Sequence, residues 1–362
     1  MLVRIGLVIY GDLNAISGGF LYDRMLVEAL RRRGHAVEII SLPWRAYGPS
    51  LGDNLSQDLT WRLRDDHFDV MLQDELNHPS LFWLNRRQKG KLHYPVVSIV
   101  HHLRCNELRP AWQNGFYRWI EQHYLWTVDA FVFNSRATCN AVQALAGAER
   151  PFVVAYPGGD RLNPKLSLQK IIARARQPGP LRIIFIGSLI PRKELHTLLQ
   201  ALAWLPKDSW RLEVVGNPMV DTTYTHRIRI QIARANFTER VSMLGPLSDA
   251  ILAERLAQSH VLAVPSSYEG FGIVYLEGMG FGLPAIASSV GGASEIIAEG
   301  REGFLVHPND VSTLARDIQR LSQDRQCLAD MSRAAYERYR QHPTWAESTE
   351  RICEFLSQLA SK

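Results

Sequence analysis

The stretch Glu269-Gly270-Phe271-Gly272-Ile273-Val274-Tyr275-Leu276-Glu277 lies between a short apolar run and a helical pattern. The run before it, Val261–Val264, is β-branched and short enough to be a buried strand. Two glycines then bracket a tight turn, and from Ile273 onward the residues have the pattern of a helix. The sequence therefore predicts a strand, a loop and a helix. Glu269 follows the carboxyl end of the strand, and Glu277 lies about one turn into the helix.

A helix that begins behind a glycine-rich turn can bind an anion, because its first N–H groups are unpaired and the helix dipole is positive there. Such a site suits a phosphorylated ligand whose hydroxyl groups are held by the carboxylates of Glu269 and Glu277. The other interpretation is an ordinary strand-loop-helix unit of an α/β core. In that case one glutamate is solvated and the other caps the helix. The stretch alone supports both interpretations.

The composition is that of a globular protein with two domains, since 362 residues exceed the usual length of one. Residues 1–157 hold 17 Lys and Arg against 15 Asp and Glu, and the rest of the chain holds 24 against 21. Neither half has the charge of a nucleic-acid-binding domain, so nucleic acid is not an expected partner. No apolar run has the length of a membrane span, and the apolar start is interpreted as a first strand instead of a signal peptide.

The four cysteines are scattered and form no CxxC pair, so neither a disulfide framework nor a zinc site is indicated. Free cysteines are typical of a reducing compartment, and the expected location is cytoplasmic.

Strand and helix patterns alternate through both halves, which is typical of parallel, doubly wound sheets. The predicted strands are Val3–Ile9, Val37–Ser41, Val70–Leu72, Val96–Val100, Ala130–Phe133, Phe152–Ala155, Leu181–Gly187, Leu212–Val215, Val241–Leu244, Val261–Val264, Ala285–Ala287 and Phe304–Val306. The alternation breaks around Pro157-Gly158-Gly159. We therefore predict an N-terminal domain over residues 1–160, a C-terminal domain over 161–343, and a final amphipathic helix within 344–362.

Ligands of such sheets bind beyond the carboxyl ends of the strands. Asp74 and Glu75 follow the third predicted strand, where they can meet a hydroxyl group of a substrate, although a surface cap explains them equally well. Neither Gly11–Gly19 nor Gly187–Lys193 contains the GxGxxG fingerprint or a P-loop, which disfavours a nicotinamide-dependent enzyme.

Both turns nevertheless offer features suited to phosphate. Gly18-Gly19 can bring backbone close to an anion ahead of a helix, and Arg192-Lys193 places two cations after a strand. Taken singly, an ordinary tight turn explains the glycines and a solvated helix start explains the cations.

Taken together, these positions resemble the retaining glycosyltransferases of the family 4 type. Glu269 and Glu277 match the paired glutamates of that family, and the match continues from Pro265-Ser266 to Glu295-Ile296. Gly187 with Pro191-Arg192-Lys193 resembles the donor-diphosphate segment. The resemblance implies the GT-B fold, in which two Rossmann-like, doubly wound parallel-sheet domains face each other across a cleft. It also implies that the C-terminal helix crosses back to the first domain.

The resemblance further implies a role for each matched residue. Glu269 and His101 would be catalytic, with Glu269 at the sugar near the reacting carbon and His101 at a sugar hydroxyl or the acceptor. Glu277 would accept hydrogen bonds from the ribose. The diphosphate of the donor would be bound by Lys193, Arg192, Gly18, Gly19, Gly270, Phe271 and Gly272. In addition, Leu247 is a candidate for nucleobase contact, and Asp74 and Glu75 are candidates for acceptor contact.

Two positions depart from the family pattern. Ser188 occupies a position where the family commonly has arginine, and Glu194 follows Lys193 where the family has glycine. The cationic grip on the diphosphate is therefore expected to be weaker, or to be completed by Arg192.

The predicted activity is metal-independent transfer of a sugar, with retention, from a nucleotide-diphosphate sugar to a hydroxyl acceptor. The sequence contains no DxD motif and no His, Asp or Glu cluster with metal-ligand spacing, so neither a metal nor another cofactor is expected. The alternatives on the same fold are a nucleotide-sugar epimerase, which needs no acceptor, and a non-catalytic nucleotide-sugar-binding protein.

The acceptor is indicated only by an unusual distribution of tryptophan. Six of the nine tryptophans fall in the first 126 residues: Trp44, Trp61, Trp83, Trp112, Trp119 and Trp126. Phe82-Trp83 precedes a basic run that ends at Lys91, and such surfaces bind anionic membranes or lipid-linked acceptors. We favour the interpretation that these aromatics are core residues and the cations a solvated face. The alternative is a peripheral contact of the N-terminal domain with the inner face of an anionic membrane.

Overall fold

The computed structural model describes residues 2–64, 67–147 and 149–360. The chain divides into two compact units, one of Met1–Pro157 with Trp345–Lys362 and the other of Gly158–Thr344. No helix among the described residues is long and apolar enough to cross a membrane.

The first unit is a six-stranded parallel sheet with helices between its strands. The strands are β1 (Arg4–Tyr10), β2 (Ala36–Leu42), β3 (Val70–Asp74), β4 (Val96–Val100), β5 (Ala130–Phe133) and β6 (Phe152–Val154). The helices are α1 (Gly18–Arg32), α2 (Tyr47–Ser50), α3 (Gln57–Arg62), α4 (His78–Gln88), α5 (Ala111–Leu125) and α6 (Arg136–Ala146), with 3-10 turns at Leu51–Leu55, Glu75–Asn77 and Arg104–Asn106. The strand order is β2-β1-β3-β4-β5-β6, so the direction of winding reverses between β1 and β3.

The second unit repeats this plan. Its strands are β7 (Leu181–Ile186), β8 (Trp210–Val215), β9 (Val241–Gly245), β10 (Val261–Val264), β11 (Ala285–Ser288) and β12 (Gly303–Val306). Its helices are α7 (Leu168–Ala175), α8 (Leu195–Ala203), α9 (Thr222–Arg234), α10 (Asp249–Gln258), α11 (Ile273–Gly280), α12 (Val311–Gln323) and α13 (Arg325–Arg340), with 3-10 turns at Asp160–Leu162, Pro191–Lys193 and Gly292–Glu295. The order β12-β11-β10-β7-β8-β9 reverses between β10 and β7.

The last helix, α14 (Trp345–Ala360), packs within the first unit. Trp345 is buried and its ring lies edge-on to Tyr22 of α1. Ser348 donates a hydrogen bond to the backbone oxygen of Tyr156. The core of the first unit therefore includes residues from both ends of the chain.

The central strands β3, β4, β5, β10 and β11 are buried along their whole length, as expected of parallel strands covered by helices on both faces. The predicted pair of parallel, doubly wound sheets is confirmed, and every predicted strand agrees with the structure to within two residues at each end.

The prediction that the N-terminal tryptophans are core residues is wrong. All six are exposed, from 41% for Trp126 to 78% for Trp112. The core of the first unit is built instead from aliphatic strand residues with Tyr94, Tyr117, Tyr124, Phe131 and Phe133.

Candidate functional site

In the second unit, the predicted diphosphate cations and the first glutamate meet at one edge of the sheet. Lys193 follows β7 and Glu269 follows β10, and these two strands are neighbours at the point where the winding reverses. Open α/β sheets bind ligands at this point, because the connections leave β7 and β10 in opposite directions. The Nζ atom of Lys193 lies 2.7 Å from Oε2 of Glu269, and Arg192 lies 3.7 Å from the same oxygen.

The charges of this cluster stabilise one another. Burial alone would raise the pKa of Glu269, but the ammonium of Lys193 and the guanidinium of Arg192 outweigh it and hold the pKa at about 2. Ser266 also donates to Oε2 of Glu269 at 3.0 Å. The site therefore contains an ionised glutamate and two cations on a largely buried surface, which suits an anion that brings hydroxyl groups with it.

The backbone around Glu269 requires glycine at three positions. Gly272 has φ of +92° and precedes α11 as its N-cap. A Cβ at Gly291 would lie 1.9 Å from the backbone oxygen of Glu269, and one at Gly292 would lie 2.2 Å from that of Gly270. The loop after β11 thus packs directly on the glutamate loop, and N–H of Gly292 donates to the Glu269 oxygen at 2.8 Å. The side chain of Phe271 is buried, so only its backbone faces the predicted anion site.

Glu277 has a partner that the sequence did not indicate. It lies in α11 and is 5% exposed, and its Oε1 accepts from Nε of Arg161 at 2.8 Å. Arg161 lies in the 3-10 turn Asp160–Leu162 and also forms an ion pair with Asp249. Burial raises the pKa of Glu277, and Arg161 opposes this rise. Arg161 thus helps to keep the predicted ribose residue ionised and fixes its orientation.

Glu194, which replaces the glycine of the family pattern, has a left-handed backbone conformation. Its φ is +52°, in the left-handed region that favours glycine, which gives a physical reason for the glycine of the family pattern. Its buried carboxylate accepts from the N–H of Asn309 at 2.9 Å and from the hydroxyl of Thr197 at 3.0 Å. These hydrogen bonds offset the backbone strain. Ser188 is half-buried beside this turn and brings no cation to it.

Leu247, the nucleobase candidate, is half-buried in the loop after β9. β9 is the edge strand of the sheet, three positions from β10, so Leu247 does not join the cluster around Glu269. Asp249, two residues further on, forms an ion pair with Arg161 and so links this loop to Glu277.

In the first unit, Gly18 and Gly19 are the first two residues of α1. The expectation that they precede the helix is wrong. The N-cap is Ser17, whose hydroxyl accepts from the N–H of Phe20. A Cβ at Gly19 would lie 3.1 Å from Cδ2 of His101. The glycine therefore lets the start of α1 pack against the imidazole that follows β4.

His101 is held by an aspartate that sequence reasoning missed. Its Nε2 lies 3.1 Å from Oδ1 of Asp23, which is fully buried within α1. Burial opposes a charge on the imidazole, but the carboxylates of Asp23 and Asp74 outweigh it and raise the pKa of His101 to about 9. His101 is therefore cationic at neutral pH and acts as a hydrogen-bond donor.

The other predicted acceptor residues lie beside this histidine. Burial, together with the charge of Asp23, raises the pKa of Asp74 to about 7. Asp23, Asp74 and His101 offer ligand atoms within 4.8 Å of one another, as do Glu75, His78 and Glu121. The members of each group come from different strand ends and helices, so the spacing of residues along the sequence does not indicate these groups.

The second cluster is a buried group of titratable side chains. The carboxylate of Glu121 accepts from the backbone N–H groups of Arg104 at 2.5 Å and Cys105 at 3.0 Å, and Glu75 lies beside it. Burial raises the pKa of Glu75 to about 8 and that of Glu121 to about 7. The hydroxyl oxygen of Tyr47 lies 2.9 Å from Nε2 of His78. Burial lowers the pKa of this histidine to about 4.

Glu75→Gln is expected to remove a loss of stability that the wild type suffers as pH rises. The folded-state pKa of Glu75 is about 8, above the ordinary value of 4.5, so its contribution to stability falls between about pH 4.5 and pH 8. A glutamine has nearly the same volume as the glutamate and cannot ionise. The free energy of unfolding of the variant, relative to that of the wild type, should therefore rise by at least about 2 kcal/mol from pH 5 to pH 8.

Urea unfolding at the two pH values measures this difference. Glu28→Gln, at an exposed position of α1, is the matched control and should follow the wild type at both. If the stability difference between Glu75→Gln and the wild type is the same at both pH values, the raised pKa is contradicted.

Two parallel sheets of this topology, with the charged cluster at the switch point of the second, define the GT-B class of proteins. Two family models match the chain. The model of glycosyl transferases group 1 matches residues 169–338, and that of glycosyltransferase family 4 matches residues 17–161. The protein therefore belongs to the glycosyltransferases of the family 4 type, a family of transferase enzymes.

Curated relatives agree with this assignment. The D-inositol 3-phosphate glycosyltransferase of Rhodococcus erythropolis (strain PR4 / NBRC 100887) is 29% identical over 254 residues, which cover 66% of this chain and 56% of that protein. The protein of the same name from Nocardia farcinica is 28% identical over 245 residues, which cover 66% of this chain and 54% of that protein. The chain spans about half the length of the curated relatives it matches.

Solved structures share the fold at lower identity. Sucrose-phosphate synthase from Thermosynechococcus elongatus has a TM-score of 0.83 at 22% identity, covering 99% of both chains. Anabaena HepE, solved in complex with UDP and glucose, has a TM-score of 0.77 at 22% identity, covering 99% of this chain and 100% of that one.

Proposed function

We propose that this protein is a retaining glycosyltransferase that moves a sugar from a nucleotide-diphosphate sugar to a hydroxyl acceptor, without a metal ion. The observation that carries the proposal is the buried ion pair of Lys193 and Glu269 at the switch point of the second sheet. HepE, a neighbour in fold, was solved with UDP and with UDP-glucose. We therefore take UDP as the first nucleotide to test.

The second unit has the charges that such a reaction needs. When the bond from sugar to diphosphate breaks, negative charge grows on the leaving diphosphate, and fixed cations lower the barrier most at that moment. Lys193 and Arg192 supply the cations, and the first turn of α11 supplies backbone N–H groups. Metal independence rests on this reasoning, since two side-chain cations can take the place of a divalent ion at the diphosphate.

Glu269 has two tasks in this proposal. Its ionised carboxylate orients Lys193, and it accepts hydrogen bonds from sugar hydroxyls as the sugar develops positive charge. Retention of configuration is implied by the family resemblance, and NMR of the anomeric proton of the product tests it directly.

In the first unit we assign acceptor binding to the edge formed by β1, β3 and β4. His101 is a cationic donor there, and the neighbouring Asp74 and Glu75 have raised pKa values. Such an edge can both donate to and accept from an acceptor hydroxyl. A cytoplasmic location is proposed because the four cysteines, Cys105, Cys139, Cys327 and Cys353, are all free.

UDP is expected to raise the melting temperature of the protein more than GDP, ADP or TDP, since a ligand that binds only the folded state stabilises it. Glu277→Gln should weaken UDP binding by roughly tenfold or more, because a hydrogen bond to a charged acceptor contributes about 1.5 kcal/mol or more. The same variant should bind 2′,3′-dideoxy-UDP, which lacks both ribose hydroxyls, about as well as the wild type does. Thermal shift and calorimetric titration measure both effects.

Glu254→Gln, at an exposed position of α10, is the control for these titrations. No shift with any of the four nucleotides would overturn the proposed function. Equal losses for UDP and 2′,3′-dideoxy-UDP in Glu277→Gln would overturn only the ribose assignment.

Product analysis separates the remaining alternatives. A transferase yields a glycosylated acceptor, an epimerase yields an altered nucleotide sugar without an acceptor, and a binding protein yields neither. The paired charges at Glu269 favour the first, because a protein that only binds has no need to hold an ionised glutamate beside the donor cations.

A further inference from the structure

An aromatic surface on the first unit has no role in the reaction described above. It consists of Trp83 on α4 with Trp112, Phe116, Trp119 and Trp126 on and directly after α5, and all five are exposed. The four α5 positions are spaced by four, three and seven residues, so they lie along one face of the helix.

Several rings of this surface contact other aromatic rings, and one contacts a cation. Phe82 and Trp119 lie 6.0 Å apart between ring centroids and so bridge α4 to α5. His123 lies 4.2 Å from Trp119 and 5.1 Å from Trp126. The guanidinium of Arg86 lies 5.5 Å from the ring centroid of Trp83. The rings from Phe82 through Trp119 and His123 to Trp126 are thus in a chain of contacts that spans α4 and the end of α5.

The adjacent face of α5 shows that these exposed rings are not needed for folding. Tyr117, Ile120 and Tyr124 are buried against the sheet and supply the core contacts of the helix. A contiguous exposed aromatic surface is uncommon on a soluble protein and marks an interaction site.

The exposed Lys, Arg, Asp and Glu side chains of the segment that carries the surface are all cationic. Residues 78–126 contain seven Lys and Arg but only two Asp and Glu, namely Glu107 and Glu121. Neither acid is exposed, since Glu121 is fully buried and Glu107 pairs with Arg109. The exposed cations are Arg86, Arg87, Lys89, Lys91 and Arg118.

We propose that the aromatic surface binds peripherally to an anionic lipid bilayer, with α5 lying along the membrane. Tryptophan rings favour the boundary between headgroups and acyl chains, and the flanking cations favour anionic headgroups. A membrane satisfies the rings and the cations together. The proposal is independent of the transferase activity, and it places the first unit at the surface of an anionic membrane.

Flotation with vesicles tests this surface on the full chain. The protein is expected to float with vesicles of equal parts phosphatidylcholine and phosphatidylglycerol. With vesicles of phosphatidylcholine alone it should remain in the bottom fraction of the gradient. Replacing Trp112, Phe116 and Trp119 together by serine should lower binding to the anionic vesicles by roughly tenfold or more. Arg86→Gln with Arg87→Gln should lower it by a similar factor, because each cation contributes about fivefold near an anionic surface.

The matched control is Trp204→Ser, which removes a tryptophan that is 66% exposed in the second unit. It should float like the wild type. The melting temperature of each variant shows whether it remains folded, which is expected because only exposed side chains change.

Three results would overturn the proposal. The first is absence of wild-type binding to the anionic vesicles, and the second is full binding by the triple serine variant. The third is a wild-type dimer that the triple serine variant converts to a monomer without any flotation, which would assign the surface to a second copy of this chain. Nucleotide binding measured in parallel keeps the outcome separate from the proposed function.

Discussion

Replacing Lys193 with methionine is expected to lower kcat/KM for the nucleotide-sugar donor by roughly 100-fold or more, the usual cost of losing one preorganised charge donor. Methionine keeps most of the side-chain volume but removes the ammonium that lies 2.7 Å from Glu269. The glutamate is then left buried, with Arg192 at 3.7 Å as its nearest cation. Stability at pH 7 should therefore also fall, by about 3 kcal/mol. Initial rates and urea unfolding measure the two effects.

The pH dependence of stability checks the same ion pair. The pKa of Glu269, at about 2, is below its ordinary value, so the stability it contributes is present above about pH 4.5 and is lost as pH falls toward 2. Lys193→Met should show less of this acid-dependent loss than the wild type.

A double variant tests the structural role of Lys193. Lys193→Met with Glu269→Gln removes the unpaired buried charge, so it should regain part of the lost stability and none of the lost turnover. Recovery of turnover together with stability would show that Lys193 acts only by neutralising Glu269. Arg301→Ala is the control, since this side chain is 73% exposed and should change the rate by less than about twofold.

Gly291→Ala is expected to destabilise the protein by about 3 kcal/mol or more, or to prevent its accumulation in folded form. The added Cβ would lie 1.9 Å from the backbone oxygen of Glu269, and φ at this position is +101°. The overlap can be relieved only if the Glu269 loop moves. Any folded fraction should therefore bind the donor more weakly, which urea unfolding and nucleotide titration can measure.

Gly300→Ala isolates the backbone strain from the steric overlap. Gly300 also has a positive φ, of +74°, but a Cβ there would meet nothing within 4 Å. This variant should cost only about 1 kcal/mol. Equal losses in the two variants would show that the close approach of the two loops does not matter.

The strands could be predicted because their signals are local. Short β-branched runs bounded by glycine, proline and polar residues specify buried parallel strands, and Val96–Val100, Ala130–Phe133 and Val261–Val264 have the predicted bounds. The positions of Lys193, Glu269 and His101 at strand ends followed from the same runs.

The partners within the site could not be predicted. Asp23 lies inside an amphipathic helix, and its only signal was a charge on the apolar face beside Tyr22. Arg161 lies in a connector without periodicity, so nothing in the sequence linked it to Glu277. Glu121 likewise occupies a core position of α5, and its carboxylate accepts from backbone N–H groups of the 3-10 turn Arg104–Asn106, which follows β4.

The aromatic helix shows where periodicity fails. In α5 one stripe holds Trp112, Phe116 and Trp119, and the adjacent stripe holds Tyr117, Ile120 and Tyr124. Both are apolar with helical spacing, so the pattern alone does not tell which stripe faces the core. The sheet decided this by packing against the tyrosines.

By itself the sequence determined two βα sheets and the type of side chain that follows each strand, because apolar runs and turn residues act over a few positions. Only the tertiary structure decided which strand ends are neighbours. The strand orders bring β7 beside β10 and β1 beside β3, through crossovers that link residues far apart in the chain. The ion pair Lys193–Glu269 exists because β7 and β10 are neighbours. Arg161–Glu277 and Asp23–His101 likewise join side chains that are 116 and 78 residues apart in the chain, and these pairs help to set the charge states of the candidate site.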